Sequence, residues 1–145
     1  MVKVEDIPLD EMKAILQKVG FGHLGCARDG RPYVVPMHYA YDSEYLYFFT
    51  TEGMKTKFID ANDEVCFQVE EVQDTSHWRS VMVTGRAEHL TKPEEVEHAM
   101  QLITKSNPTL TPAISRTQVD AWGRANEIAL YRVRPEIIDG RRTIE

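Results

Sequence analysis

The chain has 145 residues, enough for one domain with a substantial core, and 42% of them are hydrophobic. A net charge of -6 argues against nucleic acid as the main partner. No apolar run approaches the roughly 20 residues that span a bilayer, and the first residues lack the apolar core of a signal peptide. We therefore expect a single cytoplasmic domain over residues 1–145 with no membrane partner.

The first predicted element is an amphipathic helix over residues 10–19. Apolar side chains recur at positions 12, 15, 16 and 19, which is the spacing of one helix face. Asp10 is available as its N-terminal cap, and Gly20 is expected to end it.

Residues 20–25 spell the GxGxxG pattern of a dinucleotide-binding loop. That loop requires a strand before it and a helix after it. Here the predicted helix comes first, and the run 21–27 that follows is typical of a strand. We therefore interpret the glycines as a helix exit and as sites of close backbone packing.

Six strands are predicted, over residues 21–27, 32–41, 45–51, 64–72, 78–90 and 127–133, from alternation and from Tyr, Val and Phe content. Pro32 and Pro36 favour an edge or a bulge in the second strand, and Gly85 a bulge in the fifth. Helices are predicted at 54–61 and 91–104, a loop at 107–112, a helical turn at 116–124 and a polar extended tail at 135–145. The pattern predicts a mainly β fold, a six-stranded antiparallel split barrel of Greek-key type with capping helices.

The usual catalytic motifs are missing from the sequence. Cys26 and Cys66 lie far apart in apolar runs, which favours free thiols over a disulfide. The five histidines form no zinc-binding spacing with each other or with cysteine, so no metal site is expected. There is no nucleophile elbow and no Walker loop. We therefore expect the chemistry to come from a cofactor.

One stretch carries the elements of an anion site. Thr50 and Thr51 end the third strand, and Lys55 and Lys57 follow a glycine where a helix should begin. Hydroxyls, backbone N–H groups at a helix start and a lysine can together hold a phosphate. The alternative is an ordinary hairpin and helix with solvated lysines.

Several segments, in this order, resemble the pyridoxamine 5′-phosphate oxidase-like FMN-binding split barrels, and most closely the branch related to nitroimidazole reductases. They include DGRPYVVPM at 29–37, LYFFTTEGMK at 46–55, WRSVMVTGRA at 78–87 and LYRVRPEIIDGRR at 130–142. The resemblance covers nearly the whole chain. It implies a homodimer with two FMN molecules at the subunit interface.

The resemblance also implies ten cofactor-binding positions. They are Val35, Pro36, Met37, His38, Thr50, Thr51, Lys55, Trp78, Arg79 and Ser80. In the family, the first four run along the flavin, the threonines and the lysine lie at the phosphate, and the last three reach the ring or the phosphate side. Other roles stay open: a solvated Lys55, a packing role for Trp78 and a hydrogen-bonded strand histidine at His38. No catalytic side chain is identified.

Two departures from the family bear on the substrate. Lys55 is followed by Thr56, where the pyridoxamine phosphate oxidases have adjacent basic residues, and their arginine-rich substrate end has no counterpart at 123–145. Phe49 stands where the nitroimidazole branch often has a histidine. The resemblance therefore implies an oxidoreductase acting on an unidentified small molecule, with its flavin reduced by a nicotinamide cofactor. The alternatives are a non-catalytic flavin or haem carrier or sensor, and a reductase using the deazaflavin F420.

Overall fold

The structure, a computed structural model, describes residues 2–51, 54–106 and 128–144, with the backbone alone at Thr51, Met54, Lys55 and Ile128. The predicted loop at 107–112 and turn at 116–124 lie outside the described residues. The elements in chain order are β1 (Lys3–Asp6), α1 (Leu9–Val19), β2 (Phe21–Arg28), β3 (Arg31–His38), β4 (Ala40–Tyr41), β5 (Leu46–Thr51), α2 (Met54–Ala61), β6 (Glu64–Asp74), β7 (His77–His89), α3 (Pro93–Ser106) and β8 (Ile128–Ile144).

The strands form one antiparallel sheet that curls into a barrel. Its order is β3-β2-β6-β7-β8-β5-β4, and β1 adds to β8. β3 and β4 stand at opposite ends of this order, yet Tyr39 alone separates them in the chain. Since neighbouring Cα atoms lie about 3.8 Å apart, the two edges of the sheet must meet at Tyr39. The predicted mainly β antiparallel split-barrel class is confirmed.

The predicted count of six strands is wrong, because the described residues form eight. The predicted strand 32–41 divides at Tyr39, and β1 and most of β8 carry too many charges to be recognised from alternation. β8 continues to Ile144, so residues 135–144 of the predicted tail belong to a strand. Its end pairs with β1, and Arg142 Nε lies 2.7 Å from a Glu5 carboxylate oxygen. These opposite charges stabilise the pairing of β1 with the end of β8, where the exposed side chains of β1 bury little apolar surface.

α1 packs on the end of the barrel through Met12, Ile15 and Leu16. Gly20 ends it in the left-handed conformation, at a φ of 73°, as predicted. The prediction that Asp10 caps the helix is wrong: Pro8 holds the cap position, and Asp10 lies in the first turn. A carboxylate there still interacts favourably with the helix dipole.

The barrel interior is filled by aromatic rings and aliphatic side chains. The Phe67 ring lies 5.1 Å from that of Tyr39, and Phe48 stacks on Tyr131 at 5.3 Å. The Tyr39 hydroxyl donates a 2.6 Å hydrogen bond to the Leu16 carbonyl, which fastens α1 to the point where the sheet edges meet. Because the interior is packed, a ligand of any size must lie outside it.

Two smaller predictions are confirmed. The β7–β8 register shifts between Thr84 and Gly85, as expected for a bulge. Cys26 and Cys66 are free thiols. Within the described parts of the chain, no helix combines the length and apolar character needed to cross a bilayer.

Candidate functional site

The main opening in the sheet lies between β3 and β5. In the β4–β5 hairpin, Ala40 pairs with Tyr47 and Tyr41 with Leu46. Continued backwards, this register would place Met37 opposite Thr50, but no pairing between β3 and β5 exists among the described strands. We call the opening between residues 36–38 of β3 and 49–51 of β5 the seam. It brings together two of the segments predicted to bind the cofactor.

The backbone of β3 explains why its prolines are tolerated beside the seam. The Tyr39 N–H donates to the Gly20 carbonyl at 3.1 Å. Hydrogen-bonded pairs alternate along an antiparallel ladder, so odd-numbered residues of β3 bond to β2 and even-numbered ones face the seam. Pro36 therefore removes no ladder hydrogen bond, and the predicted edge position is confirmed. On the same edge of β3, next to the seam, Val34 directs an N–H and a carbonyl away from β2.

The four predicted residues of β3 divide between two sides of the strand. Met37 is buried and Val35 packs against the core. Pro36 and His38 lie on the other side, and the His38 ring is edge-on to Phe21 at 5.0 Å. Only the second pair can present side chains to a ligand outside the barrel.

The predicted phosphate segment lies at the end of β5. Thr50 is only 4% exposed and shares its side of β5 with the core residues Leu46 and Phe48. The backbone of Thr51 ends β5, and that of Lys55 lies in the first turn of α2, while both side chains lie outside the described residues.

α2 is fixed on the β2–β3 hairpin by two contacts. Phe58 lies 5.4 Å from the Tyr33 ring, and Asn62 Nδ2 donates to the Ala27 carbonyl at 3.1 Å. α2 begins at Met54, three residues after the end of β5, so chain connectivity keeps its start within about 11 Å of that end of the seam.

Arg79 belongs to a chain of alternating charges under α1, which we call the α1 clamp. Arg79 donates to Glu71, and its Nη1 lies 3.7 Å from Glu11. The clamp runs in order through Lys18, Glu71, Arg79, Glu11, Arg142 and Glu5. The hydrogen bond from Lys18, followed by that from Arg79, lowers the pKa of the Glu71 carboxyl against the opposing effect of burial. The charge of Arg79 is therefore engaged within the fold.

Trp78 and Ser80 lie on the opposite side of β7 from Arg79, because successive strand residues alternate. Their side is the outer face, which we define as the outward-pointing side chains of β2, β3, β6, β7 and β8. Cross-strand pairing runs from Pro36 to His23, then to Gln68 and Met82. The structure thus places Pro36, His38, Trp78 and Ser80 on one surface.

The outer face carries exposed apolar side chains together with polar and charged ones, among them Asp139 and Arg141. Five large apolar residues are exposed there: Phe21 (43%), Val34 (65%), Val72 (59%), Met82 (43%) and Ile137 (61%). No motif in the sequence marks His23 or Gln68 as a site residue. Alternation assigns each to one side of its own strand, but the strand register is what places both on the face of Pro36.

Comparison with known proteins assigns the chain to a family. A model of the pyridoxamine 5′-phosphate oxidase family matches residues 8–142. The chain belongs to this family. Among solved structures, it is 31% identical to an FAD-binding protein of Mesorhizobium loti, with a TM-score of 0.79 over 100% of both chains. A candidate 5-nitroimidazole antibiotic resistance protein of Bacteroides thetaiotaomicron is 21% identical, with a TM-score of 0.76 over 100% of this chain and 93% of that one.

The chain also matches part of a relative whose name gives no function. It is the uncharacterised protein RA0666 of Rhizobium meliloti, 33% identical over 89 residues. The match covers 61% of this chain and 59% of the relative. The pyridoxamine 5′-phosphate oxidase-like fold therefore rests on the family model and on the full-length structural likeness.

Proposed function

We propose that this protein binds a flavin, as FMN, beside the seam and against the outer face, and that it acts as an oxidoreductase on a small molecule. The observation that carries the proposal is the match over 100% of both chains to an FAD-binding protein at 31% identity. The geometry of the seam supports it. A nicotinamide cofactor as the source of electrons is part of the proposal.

The residues at the seam fit the chemistry of a flavin ring. One end of an isoalloxazine is apolar, and the other is an imide edge that both donates and accepts hydrogen bonds. β3 offers the Val34 N–H and the Val34 and Pro36 carbonyls on its seam side. The Pro36 side chain supplies an apolar surface on the outer face.

The chain's own residues bind and orient the cofactor. A bound flavin supplies the redox chemistry by accepting and passing on two electrons. The β3 backbone would fix the ring edge, and the apolar outer face would keep water from it.

The start of α2 is the proposed phosphate site. A helix start presents unpaired backbone N–H groups and a positive dipole end to an anion, and α2 begins at Met54, three residues after the end of β5. Lys55→Ala should raise the FMN dissociation constant about 10- to 150-fold, the range for a lost charge-assisted hydrogen bond. Lys57→Ala, two residues along the helix, is the matched control. Equal losses would show that general positive charge is responsible.

The outer face is the proposed homodimer interface. Monomers rarely expose large contiguous apolar patches, and a two-fold partner would cover Val34, Met82 and Ile137 while adding a second wall to the flavin cleft. FMN should then stabilise the dimer by mass action. Light scattering with and without FMN tests this, and a stable monomer that binds FMN as tightly as any dimer would refute it.

The cofactor is identified by releasing it from purified protein with heat and measuring its mass. FMN is the expected result, and FAD would correct the proposal to the cofactor of the Mesorhizobium loti protein. An absorption spectrum typical of haem or of F420 would identify that molecule, and not a flavin, as the bound cofactor. A colourless protein that also fails to bind added FMN and FAD would overturn the proposal.

A further inference from the structure

A hydrogen-bonded line crosses the outer face from His23 to Ser80. His23 Nδ1 lies 3.3 Å from Gln68 Oε1, and Gln68 Nε2 lies 2.9 Å from Ser80 Oγ and 3.4 Å from a Glu70 carboxylate oxygen. The line joins three neighbouring strands, β2, β6 and β7.

The line determines which nitrogen of His23 carries the proton. An ionised carboxylate only accepts hydrogen bonds, so the amide NH2 of Gln68 must face Glu70, and its oxygen must face His23. That oxygen also only accepts, so Nδ1 of neutral His23 must be the donor. Nε2 therefore carries a lone pair and is a hydrogen-bond acceptor.

The acceptor is directed to the side of the predicted ligand. Nδ1 faces β6, so Nε2, across the ring, points away from β6 toward the side where β3 lies. Pro36 is the direct partner of His23 on β3. Among the described residues, Nε2 has no hydrogen-bond partner. Phe21 borders the ring edge-on at 6.3 Å, which limits access of water on that side.

We propose that His23 is a positioning residue of the flavin site, whose Nε2 accepts a hydrogen bond from an N–H or O–H donor of the bound flavin. This inference rests on the proposed function. The only ring N–H of an oxidised flavin is the imide, and the ribityl chain supplies hydroxyls. Both donors present the same chemistry to Nε2.

The experiment compares three ligands on the intact protein by fluorescence titration: FMN, 3-methyl-FMN, which lacks the imide proton, and an analogue with a pentyl phosphate chain in place of the ribityl phosphate. In the unaltered protein, the analogue lacking the correct donor should bind about 3- to 10-fold more weakly than FMN. In His23→Phe, that difference should shrink to less than about 2-fold. The analogue whose penalty disappears identifies the donor.

Two further variants separate positioning from packing. Gln68→Met keeps the volume of the side chain but releases the His23 tautomer, so it should remove part of the same penalty. Arg31→Met, on the exposed end of β3, should leave unchanged the affinity that each analogue loses relative to FMN. If both penalties persist in His23→Phe while FMN still binds, His23 has no such role. If neither the unaltered protein nor any variant binds a flavin, the proposed function fails instead.

Discussion

The α1 clamp and the outer face lie on opposite sides of the same strands and differ in composition. In the clamp, each charge has an opposite partner: Glu71 pairs with Arg79, and Arg142 with Glu11. On the outer face, apolar side chains such as Val34 and Ile137 are more than half exposed. The clamp charges stabilise the fold, and the exposed apolar side chains form the surface on which we propose that the ligand and the partner subunit bind.

Arg79 and Ser80 show the same contrast at neighbouring positions. Arg79 reaches the clamp, and Ser80 joins the hydrogen-bonded line on the outer face. A family motif read as one unit therefore contains residues on two sides of a strand.

Phe67→Ala should be the most destabilising change, because it removes a fully packed ring from the inner side. The side chain is 1% exposed and lies against Tyr39. The expected loss in the free energy of unfolding is about 3–5 kcal/mol, measured by urea denaturation. Phe67→Leu, which retains most of the volume, should cost clearly less. Equal costs would mean that the ring is not closely packed.

Ile137→Glu should disrupt assembly without disrupting the fold. The side chain is 61% exposed, and two-fold symmetry would place two buried carboxylates in each proposed interface. The dimer dissociation constant should rise about 30-fold or more, as measured by analytical ultracentrifugation. Leu9→Glu is the matched control, because Leu9 is 51% exposed on α1 and lies off the outer face. A variant that remains fully dimeric would place the interface elsewhere.

Arg79→Met should weaken the fold and leave cofactor binding nearly unchanged. Losing the hydrogen bond to Glu71 should cost about 0.5–1.5 kcal/mol, since Lys18 still pairs with that carboxylate. The FMN dissociation constant should change by less than about 2-fold. A large loss of FMN affinity at unchanged stability would instead assign Arg79 to the cofactor.

Glu71→Gln should make the melting temperature less dependent on pH in the acidic range. The pKa of Glu71 is lowered in the folded protein, so its ionised carboxylate stabilises the fold above the pKa of a free glutamate, about 4.3. This stabilisation is lost as the pH falls through the pKa that Glu71 has in the folded protein. Melting temperatures between about pH 6 and pH 3 should therefore fall less steeply in the variant than in the unaltered protein. Glu136→Gln, on the exposed part of β8, is the control. Parallel curves would show that Glu71 is not involved.

Much of the fold could be predicted because local chemistry and tertiary structure agree. Three local signals each predicted one feature that the structure has. The apolar spacing before Gly20 predicted α1, the prolines predicted an edge position for β3, and Gly85 predicted a bulge. β1 and the second half of β8 could not be predicted from alternation. Their pairing depends on contacts such as Arg141 with Asp6, between residues at distant positions in the chain.

The candidate site could be predicted only by segment. Family resemblance located residues 35–38 and 78–80, but only the register shows which side chains share a surface. His23 was missed because no motif contains it with Gln68; β2 and β6 must pair before the two side chains meet.

The position of β8 in the barrel sets the order of events during synthesis. β8 pairs with β1, β5 and β7, and it is the last described strand to leave the ribosome. None of those three strands can complete its hydrogen bonds until residues 128–144 have been translated. Contacts between such distant parts of a chain also form slowly. The nascent chain therefore exposes unpaired strand edges throughout translation, a period in which chaperone binding would protect it from aggregation.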